Sequence, residues 1–208
     1  MEQTLKRPYL TAVLRAPEPE LDLSGSQPFS LELVVTLHAS EPVLLYTADT
    51  FLSPLAALRQ GGIDFVRKGS DSKPEPRSTI DVNRGHGPDR PWLPTSFLTL
   101  QPETPTLIHV PFYSRSPSIA SKDGHFDLRL WLSTATFQTG NAYKAVLPSA
   151  VKVSWWRWAA QGKDNDNDDN NEGVPLMEEE EQLPIYVFDD DVTFTCVGQH
   201  VLPSTQPC

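Results

Sequence analysis

Three groups of residues have the types that chemistry needs. The histidines are His38, His86, His109, His125 and His200. An imidazole exchanges protons near neutral pH and ligates metals. His86 sits in Arg84-Gly85-His86-Gly87, where two glycines let the backbone approach a ligand closely. His125 opens Phe126-Asp127-Leu128-Arg129-Leu130-Trp131-Leu132, which places Asp127, Arg129 and Trp131 on one strand face. A cofactor-free isomerase or cyclase needs acid–base groups around an apolar pocket. His86, His109, His125, Asp127 and Arg129 are its candidate catalytic residues. The plainer reading of each is a strand-surface, strand-end or turn residue.

The second group is Val151-Lys152-Val153-Ser154-Trp155-Trp156-Arg157-Trp158. Strand alternation puts Val151, Val153 and Trp155 on one face, predicted as core. Trp156 and Trp158 fall opposite, and with Trp131 they are the candidate ligand-binding residues. Such an aromatic shelf suits a sugar ring, a peptide or a polycyclic ligand. The competing reading packs Trp156 and Trp158 beneath a loop or a second sheet.

The third group is acidic. Asp164, Asp166 and Asp168 match positions one, three and five of a calcium loop. Position six is then Asp169 rather than Gly, and position twelve is Pro175 rather than Glu. No helical pattern flanks them. These three are the only metal candidates, and a solvated loop explains them as well. There is no His-Glu-x-x-His, no Cys-x-x-Cys, no phosphate-binding lysine loop, no Gly-x-Ser-x-Gly and no dinucleotide fingerprint. No cofactor is expected.

The elements that must position these residues have a period of two. In Phe29-Ser30-Leu31-Glu32-Leu33-Val34-Val35-Thr36-Leu37-His38, the face of Phe29, Leu31, Leu33, Val35 and Leu37 is apolar and the other mostly polar. That pattern predicts a half-buried strand of an antiparallel sheet. Further strands are predicted at Leu10–Leu14, Val43–Tyr46, Ile63–Val66, Ser78–Val82, Phe97–Leu100, Leu107–Phe112, Phe126–Leu132, Val151–Trp158, Ile185–Phe188 and Val192–Val197. One short helix is predicted over Ser53–Arg59, with Ser53 as cap, Pro54 in its first turn and Gly61-Gly62 ending it. The 20 prolines in 208 residues, near twice the usual share of about 5%, argue against long helices.

The expectation is an all-β fold of roughly seven to ten strands, an antiparallel immunoglobulin-like β-sandwich with one short helix. Residues 1–208 form one domain, with a disordered acidic insertion at about 163–182. The chain carries 17 Lys and Arg against 27 Asp and Glu, a net of -10. Residues 164–191 hold 12 of those acids and no Lys or Arg, so the remainder is close to neutral. Without a basic footprint, nucleic acid is not an expected partner. No apolar run is long enough for a signal peptide or a membrane span, so a cytoplasmic location is expected. Cys196 and Cys208 are expected as reduced thiols, with a bridge between them left open. The strand at Ile185–Phe188 or its neighbour is a candidate sheet edge, through which a homodimer could form.

One stretch has a recognisable cadence. Leu31-Glu32-Leu33-Val34-Val35-Thr36-Leu37 leads to Glu41-Pro42-Val43-Leu44-Leu45-Tyr46, then Thr47 to Pro54, then Ile63-Asp64-Phe65-Val66. It resembles uncharacterised fungal proteins with an immunoglobulin-like β-sandwich. More distantly it is similar to the non-catalytic sandwich of deuterolysin-type metalloproteases. The resemblance covers about a fifth of the chain, Phe29 to Lys68, and implies a sandwich. The protease's zinc helix has no counterpart, so no peptidase activity carries over. The leading expectation is a non-catalytic binding or interaction module for a protein or small-molecule ligand. The alternative is the cofactor-free enzyme above, placed by the resemblance in fungal small-molecule metabolism.

Overall fold

The computed structural model describes residues 7–25, 27–48, 50–58, 61–70, 73–76, 97–112, 114, 136–159, 181–188 and 191–199. Its elements are β1 (Tyr9–Arg15), β2 (Glu20–Asp22), β3 (Phe29–His38), β4 (Val43–Tyr46), α1 (Pro54–Ala57), β5 (Asp64–Arg67) and β6 (Phe97–Leu100). They continue with β7 (Thr106–Phe112), β8 (Ala142–Val146), β9 (Val151–Val153), β10 (Trp156–Trp158), β11 (Leu183–Phe188) and β12 (Thr193–Val197). The fold is all-β. The predicted strands at Ser78–Val82 and Phe126–Leu132 lie outside the described residues.

Among the described residues the strands form three sheets, ordered β7-β3-β1-β11-β9, β10-β4-β6 and β2-β12-β8-β5. Strand β3 shows why. Its residues alternate between buried and half-buried along its whole length, so one face meets the core and the other does not. It pairs antiparallel with β1 and with β7.

Two pairings are parallel, β1 with β11 and β2 with β12. The antiparallel expectation does not extend to them. Alternation fixes which face of a strand is buried, but it carries no information on the direction of the neighbour. Strand β11 fits beside β1 because Leu10 and Ala12 stand opposite Ile185 and Val187, all directed inward.

A second difference concerns Val151–Trp158, expected as one strand. It is two. Val151–Val153 pairs with β11 in the five-stranded sheet, and Trp156–Trp158 pairs with β4 in the three-stranded sheet. The chain changes sheets at Ser154-Trp155, where the Tyr46 N–H donates to the Trp155 carbonyl at 3.0 Å. This break resets the alternation. Trp155 is half-buried and outside the core cluster, whereas Trp156 and Trp158 pack against it. The sequence reading had the faces the other way round.

Helix α1 is shorter than expected. Ser53 occupies the cap position with extended backbone, but its side chain makes no capping bond. Gly62 folds back on the helix end, where a Cβ would stand 2.2 Å from the Ala57 carbonyl oxygen. That same carbonyl accepts the Ile63 N–H at 2.7 Å, so the close approach requires glycine. Strands β2 and β8 were not anticipated. β2 is only three residues long and is preceded by Pro17 and Pro19.

The core is one apolar cluster drawn from all three sheets. Its centre is aromatic. Phe29 of β3 meets Phe194 of β12 at 4.9 Å, and Phe65 of β5 meets Phe112 of β7 at 5.9 Å. Phe137 stacks on Tyr143 at 4.3 Å. Each fully buried ring contributes about 1.5–3 kcal/mol by burial, and each ring pair about 0.5–1.5 kcal/mol more. Among the described residues, no helix is long and apolar enough to cross a membrane.

Candidate functional site

The tryptophan corner is occupied from within. The rings of Trp156 and Trp158 meet edge to face at 5.3 Å, and both lean on the core. The Trp156 indole N–H donates to the Glu181 carbonyl at 2.7 Å. Its one polar handle is therefore used in tying β10 to the approach of β11. Trp155 joins a different group. Phe97 lies edge-on to it at 5.6 Å and Tyr46 stands 5.5 Å from Phe97. The Arg157 guanidinium carbon sits 5.8 Å above the Trp155 ring, within cation–π range.

Of the acid–base candidates, His109 is described. It lies on the outer side of β7, largely exposed, with Nδ1 3.7 Å from Glu32 Oε1. His86, His125, Asp127, Arg129 and Trp131 lie outside the described residues, as do Asp164, Asp166, Asp168 and Cys208. Among the described residues, no three His, Cys, Asp or Glu side chains cluster closely enough to hold a metal ion. Cys196 is buried on the inner face of β12 as a free thiol. Burial pushes its pKa up to about 12, which makes it a packing residue rather than a nucleophile.

The outer face of the five-stranded sheet is different. Among the described residues, the exposed large hydrophobic ones are Leu107, Tyr186 and Phe188, at 47%, 56% and 56% exposure. All three point outward from this sheet, because their strand neighbours Ile108, Ile185 and Val187 point to the core. The register places them in rows. Leu107 is opposite Val34, Val34 opposite Val13, and Val13 opposite Phe188. This is an apolar row across four adjacent strands. One level along, Thr36, Thr11 and Tyr186 form the next row. On the other side, His109, Glu32 and Arg15 form a charged row.

A hydrogen-bonded chain closes the lower end of this face. The His38 ring stacks on Tyr9 at 4.6 Å, and Tyr9 meets Tyr186 edge-on at 5.5 Å. His38 Nε2 lies 3.0 Å from Thr11 Oγ1, and Nδ1 lies 3.0 Å from Glu103 Oε2. A carboxylate only accepts, so Nδ1 carries a proton toward Glu103. In the neutral ring, Nε2 then accepts from the Thr11 hydroxyl. Glu103 adopts a φ of 52°, a left-handed conformation costly for a residue with a Cβ. Its N–H donates to the Leu37 carbonyl at 2.8 Å, which holds the loop against the end of β3.

Sequence reasoning missed Leu107, Tyr186 and Phe188. The signal was there in part. Ile185-Tyr186-Val187-Phe188 is apolar on both faces, and Val34 interrupts the polar face of β3. A strand apolar on both sides is either covered twice or exposes one apolar face. The candidate edge at Ile185–Phe188 or its neighbour falls on the neighbour, β9, which ends the sheet and pairs with β11 over Leu183–Ile185; beyond Ile185 no strand among the described residues pairs on that side.

No family model matches the chain, and neither a curated protein nor a solved structure matches it.

Proposed function

We propose that this chain is a non-catalytic interaction module, an immunoglobulin-like sandwich whose outer face on the five-stranded sheet is the contact surface. The carrying observation is the convergence of Leu107, Tyr186 and Phe188 on one face, joined by Val13 and Val34 into a row. Single exposed apolar residues are ordinary, but a contiguous patch with a polar rim is a common mark of an interface. Tyr and Phe also lose little conformational entropy when a partner covers them. The sandwich reading is supported by the meeting of Phe29 and Phe112 from one sheet with Phe194 and Phe65 from another.

The test is the double substitution Tyr186→Ser/Phe188→Ser. An environment-sensitive dye such as anilinonaphthalene sulfonate binds the wild-type face at low protein concentration, and the double variant loses most of that signal. Its melting temperature stays within about 2 °C of wild type, since exposed substitutions usually change stability by less than about 0.5 kcal/mol. A large fall in melting temperature shows instead that the two rings are structural.

The Thr11–His38–Glu103 chain favours a second reading, acid–base chemistry at His38. A hydroxyl, an imidazole and a carboxylate in this order activate the hydroxyl oxygen. Hydrolysis of p-nitrophenyl acetate by the wild type and by His38→Gln decides it. Equal rates remove this reading.

A further inference from the structure

We infer that the occupant of the outer face is a second copy of this chain, packed face to face about a twofold axis that runs along the strands between β1 and β3. The inference rests on the reading of that face as the contact surface, and it adds the partner and the geometry.

The rows decide the axis. A twofold along the strands keeps each row at its own level and exchanges its two halves. In the apolar row, Leu107 then covers Phe188 of the second copy and Val34 covers Val13. In the next row, Thr36 meets Thr11. In the charged row, Glu32 of one copy meets Arg15 of the other, twice, once on each side of the axis. These pairings follow from the observed registers of β1, β3, β7 and β11. A twofold across the strands, through the apolar row, gives a worse match. It sets Glu32 over Thr36 and Arg15 over Thr11, leaving both charges without an opposite partner in the other copy. Within one chain Glu32 keeps Arg15 and His109 as neighbours under either axis, but the first axis also brings each charge an opposite one from the other copy, so charge complementarity selects it. Sheets that pack face to face keep their strands aligned within about 30°, which this axis allows.

The area sets the class of interface. Four strands at about 4.8 Å spacing and four rows at about 6.7 Å, the fourth being the row of His38 and Tyr9, give a footprint of roughly 500 Å² per copy. Two footprints total about 1,000 Å², the lower end for a specific interface. An interface at that lower end belongs with transient, concentration-dependent dimers.

Sedimentation equilibrium on the full chain tests this. Wild type shifts from monomer to dimer between about 1 and 200 µM, as a transient interface does. Arg15→Glu alone and Glu32→Arg alone each place like charges across the axis and weaken self-association by at least about tenfold. An equimolar mixture of the two variants restores dimers, because Glu32 of one chain then meets Arg15 of the other, and the introduced Glu and Arg also meet. Within each variant chain the neighbouring cross-strand pair stays like-charged, so a purely internal role cannot produce the rescue. Leu107→Asp weakens the wild-type dimer without touching either charge. A wild type that stays monomeric throughout the range overturns the inference, and so does a mixture no more associated than its components. The dye experiment separates the two readings. If the wild type stays monomeric but its dye signal is lost in Tyr186→Ser/Phe188→Ser, the dimer is wrong and the contact face stands. If no dye binds that face, both fall.

Discussion

Trp156 and Trp158 on β10, and Tyr186 and Phe188 on β11, are the same arrangement in sequence: two aromatic residues two apart on a short strand. The fold uses them in opposite ways. On β10 both rings lie against the core, and the Trp156 N–H is held by Glu181. On β11 both rings stand in solvent, because Leu183, Ile185 and Val187 already take the inner positions. Ring size and hydropathy rank tryptophan with tyrosine and phenylalanine as burial candidates. The parity of a residue against its sheet overrides that ranking. Parity in turn depends on where the chain enters a sheet, and the break at Ser154-Trp155 resets it.

The largest effect that sharpens this contrast is at the inner face of β11. Ile185→Ala removes a core side chain beside two exposed rings, and a loss of about 3 kcal/mol is expected in urea unfolding. A loss below about 0.5 kcal/mol, the surface range, contradicts the assigned parity of β11.

Next comes β10. Trp156→Ala is expected to cost about 2 kcal/mol, less than a fully buried ring because Trp156 is only half-buried. It thus separates from the near-neutral Tyr186 and Phe188 substitutions. Equal melting curves for the two pairs remove the distinction between the regions.

The smallest effect is read through pH. Cys196 points inward on β12, and its thiol pKa is raised from 9.0 to about 12 by burial. The unfolded chain therefore loses this proton first. The stabilisation is complete below pH 9 and declines as pH rises toward 12, by roughly 1.4 kcal/mol per pH unit. Tyr143, also raised from 10.0 mainly by burial, acts in the same direction at higher pH. The urea midpoint should fall between pH 8 and pH 10, and Cys196→Ala should flatten that fall. An identical decline in wild type and Cys196→Ala shows that Cys196 does not contribute.

Much of the strand inventory was legible before the structure. The alternation of Phe29–His38 reads directly as β3, and Val43–Tyr46, Phe97–Leu100 and Leu107–Phe112 coincide with β4, β6 and most of β7. In Phe29–His38 the alternation and the final environment agree, whereas Val43–Tyr46 reads as a strand from a short apolar run and Leu107 stands on the exposed face of β7. The three-residue β2 carries too few residues to show a period. In β8, Tyr143 and Ala145 turn inward, but the run Ala142-Tyr143-Lys144-Ala145-Val146 has weak contrast between its faces. The candidate surface was less legible. His109 and the tryptophans were singled out by type, whereas the exposed face is built from Leu107, Val34, Val13 and Phe188. Those four come from strands far apart in sequence, and only their registers make them a row.

The sequence alone determined the β class, since period-two alternation favours strands and abundant proline argues against long helices. It also determined which residues of β3 face inward, because one face of that strand is apolar enough to require burial. The tertiary structure decided what local pattern does not encode. It set the parallel pairing of β11 beside β1, the split of Val151–Trp158 between two sheets, and the assembly of one apolar row from four strands. The physical reason is that alternation is a property of one strand, whereas direction, neighbour and register are properties of pairs.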